Sequence, residues 1–493
     1  MKIIEPIPVR LLIEEIGTIA PLGVLLTRLK DYPDSFVLGD FATNGPGRYS
    51  YLGLEPSELV SLAEGEEKKP LGILDTAWRR YRLANEEPMP VPFVGGWVGY
   101  LSYDLGRYIE RLPDGVAHDM PLGLLRFGFY DTVLAWDAQA QCGYLLALEY
   151  IGQKSSAGVR LRQLGRLCKD TPHSERKNHF TPLPESALLP TPPPGSESTP
   201  LAAPGAVPAE TTQLLKAMQP NIEHSDYLNK VARAREYILA GDIFEVNLSQ
   251  RFSYRYNADP DRLYEYLANH NCAGYAALLR GNGHAVVSSS PELFLSKRGT
   301  QIVTQPIKGT IPRGGNRQQD QTNRTRLEQS EKDRAELNMI IDLERNDLGR
   351  ICRYGSVRVV RERVIEAHPT VFHAVATVAG ELRPKVGLMD ILRATFPGGS
   401  ISGAPKIRAM QIIDELEPTA RSVYTGSIGW IGVNGDMELN IAIRTIVLAE
   451  GWAYVQVGGA VVADSEPQAE YDETIAKAAA LVRALAATTS SPG

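Results

Sequence analysis

The chain has 493 residues, 43% hydrophobic and 22% charged, the balance of an ordinary soluble globular protein. A net charge of -6 without a basic tract speaks against a nucleic-acid partner. Four scattered cysteines with no CxxC pair argue against a zinc site or disulfide framework and for a reducing compartment.

Charges interrupt every apolar stretch of the N-terminal MKIIEPIPVRLLIEEIG, so no secretory signal is expected there. No apolar run reaches membrane-spanning length, and the expected location is cytoplasmic. Over residues 1–170, SFVLGD, GRYSYLGLEP, PFVGGWVGYLSYDLGRYIE, FGFYDTVLAWD and CGYLLALEYI read as strands: short apolar runs, aromatic and β-branched, bounded by turns. Residues 171–215 are rich in Pro, Ser and Ala with neither helical nor strand period, and are expected to form a linker or surface insertion.

A third region, 216–488, opens with a helical period in HSDYLNKVARAREYILAGDI, with Ser225 as candidate cap and Gly241 at the end. Strand-like FEVNLSQRFSY, HAVVSSSPELFLS, SIGWIGVNG and MELNIAIRTIVLAE follow. They are separated by helices that include EKDRAELNMIIDLERND and the terminal PQAEYDETIAKAAALVRALAA. Strands clustered between helices, without regular alternation, predict an α+β fold.

Several residues could carry chemistry. Lys308 in TQPIKGTIPRG is bracketed by Pro306 and Gly309, which predicts a fixed turn. A lysine held out of water there would have a lowered pKa and present a neutral amine to an electrophile. On the terminal helix Glu470, Glu473 and Lys477 share a face, and Asp333 and Glu336 repeat the three-residue spacing on the earlier one. Such carboxylate pairs can hold Mg²⁺, and the alternative is a solvated acidic surface.

In FPGGSISGAPKIRAM, Gly398, Gly399, Ser400, Ser402 and Gly403 precede a helix with Pro405 near its first turn. They form either a turn-rich connection or a cradle of N–H groups for a carboxylate. Arg444 interrupts an apolar strand and needs an anionic partner, which a bidentate carboxylate or a salt bridge would supply. Tyr424 could donate to the same anion. Glu292 begins an apolar strand, where burial would raise its pKa and suit a general acid. His373 lies in a mostly apolar segment that fits a satisfied core histidine.

GDIFEVNLSQRF, SSPELFL, PIKGT, MIIDLERNDLGR, FPGGSISGAPKIRAM, NIAIRT and DSEPQAEYDETIAKA, in this order, resemble the chorismate-utilising enzymes. The resemblance implies a large α/β sandwich: two mixed, mainly antiparallel sheets between helix layers, with the active site between the sheets. It implies Mg²⁺ held by Glu336 and Glu473, supported by Asp333 and Glu470. It implies substrate carboxylates at Tyr424, Arg444, Lys477 and the backbone near Gly458, Gly459 and Ala460. Glu292 matches the acid that protonates the departing ring hydroxyl, and His373 matches a histidine near that hydroxyl.

Lys308 in PIKGT, Asn247 in EVNLSQ and FPGGSI resemble the aminodeoxychorismate-forming members, whereas the anthranilate-forming ones resemble PIAGT. The water-adding members place a lysine where this chain has Glu245, and amine-forming members more often have glutamine. The expected activity is therefore amination of chorismate at its 4-position through Lys308. None of the four cysteines lies in a GxCxG elbow, so ammonia is expected from a separate glutamine amidotransferase subunit. Two departures stand out: NHNCAGYAALL lacks the family's proline, and VLGD, with Gly39 and Asp40, replaces a serine motif of the tryptophan site. An anthranilate-forming enzyme and a non-catalytic binding homologue are the alternatives.

Overall fold

A computed structural model describes residues 6–42, 45–63, 65, 69–84, 88–153, 156–169 and 209–489. Most of the expected linker, through residue 208, lies outside the described residues. Its predicted end does not: Ala209–Ala217 is a helix, and it packs against the terminal one.

The strands form two sheets, of thirteen and ten strands, and the fold is α+β as expected. The first sheet runs Gln219–Pro220, Glu245–Arg255, Trp452–Val461, Thr445–Ala449, His284–Ser290, Tyr275–Gly281, Phe36–Leu38, Tyr49–Gly53, Thr132–Asp137, Cys142–Tyr150, Ile7–Ile16 and Tyr81–Leu83. The short strand Gly403–Ala404 joins it at Glu245 and Val246. The second runs Ile307–Pro312, Val371–Glu381, Gln301–Gln305, Leu293–Arg298, Met437–Asn440, Ser427–Gly432, Gly96–Leu101, Leu125–Tyr130 and Glu58–Leu62, with Arg358–Ala367 also on Val371–Glu381. Pairing is antiparallel except between Ile7–Ile16 and Tyr81–Leu83 among the described strands.

Alternation along the strands of the first sheet divides its side chains between two cores. Val133, Ala135, Ala277, Leu279 and Val286 join a core with Trp97, Phe127, Phe129 and Trp430 of the second sheet. Their neighbours Leu134, Trp136, Ala276, Leu278 and Val287 face the other way. They pack with Leu25, Leu263, Leu267, Leu481 and Leu485 from covering helices. Each such large apolar side chain contributes roughly 1.5–3 kcal/mol by leaving water. Glu331–Gly349 packs on strands of the second sheet, so helices cover the sandwich on both sides.

Residues 1–170 complete both sheets. Phe36–Leu38 pairs with Tyr275–Gly281, and Gly96–Leu101 pairs with Ser427–Gly432. Without them each sheet would present long unpaired central strands.

Three local expectations need correction. The helix His224–Leu239 has Glu223 at its N-cap, so Ser225 falls inside the first turn. HAVVSSSPELFLS and MELNIAIRTIVLAE are each two strands, because the chain crosses between sheets at residues 291–292 and 441–444. Glu292 and Arg444 therefore sit in adjacent crossovers and not within strands. Ser290 donates to the Ile441 carbonyl at 2.6 Å, and the Ile441 N–H donates to the Glu292 carbonyl at 3.0 Å, tying the two together.

Because the two halves share both sheets, heat is expected to unfold them in one transition. Tryptophan fluorescence, reporting Trp97 and Trp136 before the linker and Trp430 after it, should melt together with far-UV circular dichroism. Two separated transitions would refute the shared architecture.

Candidate active site

The site lies where Glu245–Arg255 and Trp452–Val461 of the first sheet face Ile307–Pro312 of the second and the two crossovers. Lys308 is on a strand and not in the turn expected from its flanking residues. Ile307–Pro312 pairs with Val371–Glu381 through a register shift between Ile307 and Thr310. Gly309, at φ +90°, takes the left-handed conformation that the shift requires.

Lys308 is buried, and its Nζ lies 2.5 Å from Oε1 of Glu245, which is fully enclosed. Burial alone would push the ammonium pKa down. The Glu245 charge and hydrogen bond, with Glu336 and Glu292 beyond, outweigh it and hold the pKa above its usual value. The resting side chain is thus a paired ammonium, contrary to the neutral amine expected from sequence.

Glu292 is buried in its crossover, where desolvation pushes its pKa up to about 7 against the opposing Ser400 hydrogen bond and Lys308 charge. Ser400 Oγ donates to Glu292 Oε1 at 2.5 Å. The neighbouring Gly399 N–H donates to Glu344 Oε1 at 3.2 Å, so consecutive residues of the loop grip two buried carboxyls. Glu344 escaped the sequence reading, although Leu337, Ile341, Glu344 and Leu348 are spaced to share one buried helix face. Desolvation, then the charge of Asp347, raises its pKa to about 8. Gly403, at φ +132°, brings the loop's end against the backbone of Glu245; a Cβ there would stand 2.2 Å from the Glu245 carbonyl.

Arg444 stands in the second crossover, in left-handed conformation at φ 51°. Its half-buried guanidinium has no hydrogen-bond or ion-pair partner among the described residues, and desolvation lowers its pKa. A cation so placed is completed by an incoming anion. His373 lies near it, buried, with Nδ1 2.8 Å from Thr310 Oγ1. Desolvation, then His368 and Arg444, drive its pKa well down and leave a neutral imidazole.

Tyr424 and Asn247 converge on Gly458, where a Cβ would stand 2.9 Å from the phenol oxygen and 2.8 Å from Asn247 Oδ1. Beneath them Arg421 pairs with Glu417 at 2.6 Å and donates to the Asn247 carbonyl at 2.7 Å, a buried support the sequence did not reveal. The ladder between Thr445–Ala449 and Trp452–Val461 stops at Val455, so Gly458, Gly459 and Ala460 have a strand on one side only. Lys477 Nζ donates to the Gly458 carbonyl at 2.9 Å and pairs with Glu473 at 2.7 Å.

The acidic residues form two pairs rather than one finished cluster. Among the described residues no group of three or more His, Cys, Asp or Glu converges as a metal centre. Glu470 Oε1 accepts from Ser465 at 2.6 Å, while its buried Oε2 has no partner. A Cβ at Gly459 would stand 3.1 Å from that Oε2 and 3.8 Å from Glu473 Oε1. Desolvation lifts the Glu336 carboxyl to about 7, and Lys332 is 3.8 Å from it. Asp333 packs against Gly309, a turn away from Glu336. Lys308 and Lys332 act on both Glu336 and Glu473, so both carboxylates share one electrostatic neighbourhood. An orphaned carboxylate oxygen and hard oxygen donors fit a small divalent cation.

Residues 41–483 match the family model described as chorismate binding enzyme. Aminodeoxychorismate synthase component 1 of Bacillus subtilis (strain 168) is 36% identical over 451 residues, covering 89% of each chain. Anthranilate synthase component 1 of Streptomyces coelicolor is 38% identical over 451 residues, covering 90% of this chain and 82% of the relative. Among solved structures, anthranilate synthase component I from Streptococcus pneumoniae TIGR4 has a TM-score of 0.72 and 30% identity, over 89% of this chain and 93% of that one. The chain belongs to the chorismate binding enzyme family.

Glu344 gives a pH test of this geometry. Its folded pKa of about 8 exceeds the ordinary 4.5. Its stabilising contribution is therefore complete below about 4.5 and is lost as pH rises toward 8. Glu344→Gln should match the parent in acid and become the more stable protein by pH 9, by on the order of a few kcal/mol in denaturant titrations. An unchanged difference across that range would contradict the buried neutral carboxyl.

Proposed function

We propose that the chain aminates chorismate to 4-amino-4-deoxychorismate, using ammonia delivered by a glutamine amidotransferase subunit. The observation that carries this reading is Lys308: a buried amine between the sheets, with a carboxyl acid near pKa 7 in its electrostatic reach. Relatives named component 1 support a second subunit. Among the described residues no helix is long and apolar enough to cross a membrane.

Arg444, Tyr424 and the backbone at Gly458–Ala460 would bind the substrate carboxylates and orient the ring, with Lys477 fixing the Gly458 carbonyl. Glu336 and Glu473, supported by Glu470 and Asp333, would hold the Mg²⁺ whose charge offsets a substrate carboxylate. Glu292, steadied by Ser400, gives its proton to the departing 4-hydroxyl as Lys308 bonds to the 2-position and the double bonds shift. Ammonia then bonds at the 4-position and Lys308 leaves. Two easier displacements replace one difficult exchange. His373, neutral and held by Thr310, would accept or donate a hydrogen bond near the leaving hydroxyl without adding charge.

A second reading is formation of anthranilate, favoured by anthranilate synthase relatives as similar as 38% over comparable lengths. Incubation with chorismate, Mg²⁺ and ammonium, followed by mass spectrometry, separates the two. A 4-amino-4-deoxychorismate product is expected, and fluorescent anthranilate would overturn the assignment. Lys308→Ala should abolish the 4-amino product, and Glu292→Gln should slow it about 10²–10⁴-fold. Arg444→Met should raise the KM for chorismate by roughly 10- to 100-fold, from loss of a charge-assisted contact of about 1.5–3 kcal/mol. An unchanged KM would remove Arg444 from the carboxylate site.

A further inference from the structure

The resting state poses a chemical difficulty for that mechanism. Lys308 must attack as a free amine, yet the site holds it as an ammonium hydrogen-bonded to a carboxylate. Four acidic groups interact with it: Glu245 from the first sheet, Glu336 from the helix Glu331–Gly349, Glu292 from the crossover and Glu473 from the terminal helix. Glu292 is engaged by Ser400 and must keep its own proton for the leaving hydroxyl. Glu336 and Glu473 belong to the carboxylate group assigned to the cation, Glu473 is paired with Lys477, and the hydrogen bond of Lys308 goes to neither. Glu245 is hydrogen-bonded to the nitrogen, is 0% exposed, and has a second oxygen, Oε2, that is buried without a partner among the described residues.

That orphaned oxygen carries the argument. A carboxylate serving only to neutralise a buried cation is stabilised when both oxygens are satisfied, and an unpaired buried anionic oxygen is costly. A neutral carboxylic acid beside a neutral amine escapes much of the desolvation cost of the ion pair. The pair rests charged, and its neutral form is reached by moving one proton along a hydrogen bond that already exists.

Building on the function proposed above, we infer that Glu245 is a catalytic residue that takes the Lys308 proton before the carbon–nitrogen bond forms and returns it after Lys308 departs. The ammonium and carboxylate first become amine and carboxylic acid. The amine bonds to the 2-position while the 4-hydroxyl takes the Glu292 proton and leaves as water, giving a secondary ammonium on the ring. Ammonia bonds at the 4-position, the ring–Lys308 bond breaks with its electron pair on nitrogen, and the freed amine recovers its proton from Glu245. The product ammonium gives one proton to Glu292. The sum is chorismate plus ammonia to 4-amino-4-deoxychorismate plus water, with both carboxyl groups restored.

The test separates proton transfer from positioning by comparing Glu245→Asp, shorter but still a carboxylate, with Glu245→Gln, full-length but unable to accept the proton. Product formation is measured with chorismate, Mg²⁺ and ammonium, alongside the unfolding temperature of each variant. The expected order of kcat is parent, then Asp, then Gln, with Gln at least tenfold below Asp and about 10²–10⁴-fold below the parent. Gln equal to or faster than Asp would overturn the inference. Should either variant fail to fold, Glu245→Ala decides: rescue by formate but not by chloride supports proton transfer, and equal rates in the two salts overturn it. Lys308→Ala, assayed in parallel, tests the underlying function. Full activity there means that reading has failed, whereas its inactivity beside an active Glu245→Gln means that the role of Glu245 alone has failed.

Discussion

The contact between Lys308 and Glu245 joins one sheet to the other, and it sets the terms for everything near it. Burying either charge alone would carry a large, uncompensated desolvation cost. Held 2.5 Å apart, they let polar chemistry exist inside a sandwich whose remaining interior is Trp97, Phe127, Phe129, Trp430 and their neighbours. The bulge at Gly309 and the approach of Gly403 to the Glu245 backbone are both needed to bring the pair together.

Around that contact the chain collects polar groups that are only partly satisfied. Among the described residues, Glu245 Oε2, Asn247 Oδ1, Glu344 Oε2 and Glu470 Oε2 are buried without partners, and Arg444 has no anionic partner. Each lowers the stability of the fold. The large two-core sandwich offsets these losses. Preorganisation of this kind places the cost in folding rather than in the reaction.

The crossovers explain how so few residues achieve this. Glu292 and Arg444 sit in neighbouring crossovers because the chain changes sheet twice between paired strands, His284–Ser290 with Thr445–Ala449 and Leu293–Arg298 with Met437–Asn440. A strand would have pointed each side chain to a face dictated by alternation. A crossover frees it to point between the sheets. The same logic places Ser400 and Gly399 on a loop and Lys308 at a bulge.

Sequence by itself determined the helices at 331–347 and 467–487, most of the strand-forming runs, the spacing of the carboxylate pairs and the segments that mark the family, because these depend on local period and order. Glu292 and Arg444 were legible as polar residues in apolar surroundings, and Lys308 through the Pro306 and Gly309 that flank it. Tertiary structure alone decided that HAVVSSSPELFLS is two strands in different sheets, that Lys308 rests as an ion pair, and that Glu344 grips the glycine loop. Those outcomes rest on contacts between residues 63 apart, as for Lys308 and Glu245, or 55 apart, as for Gly399 and Glu344. Pairing, desolvation and the resulting protonation state are properties of an enclosed volume, and a linear pattern carries no information about which distant charge will share it.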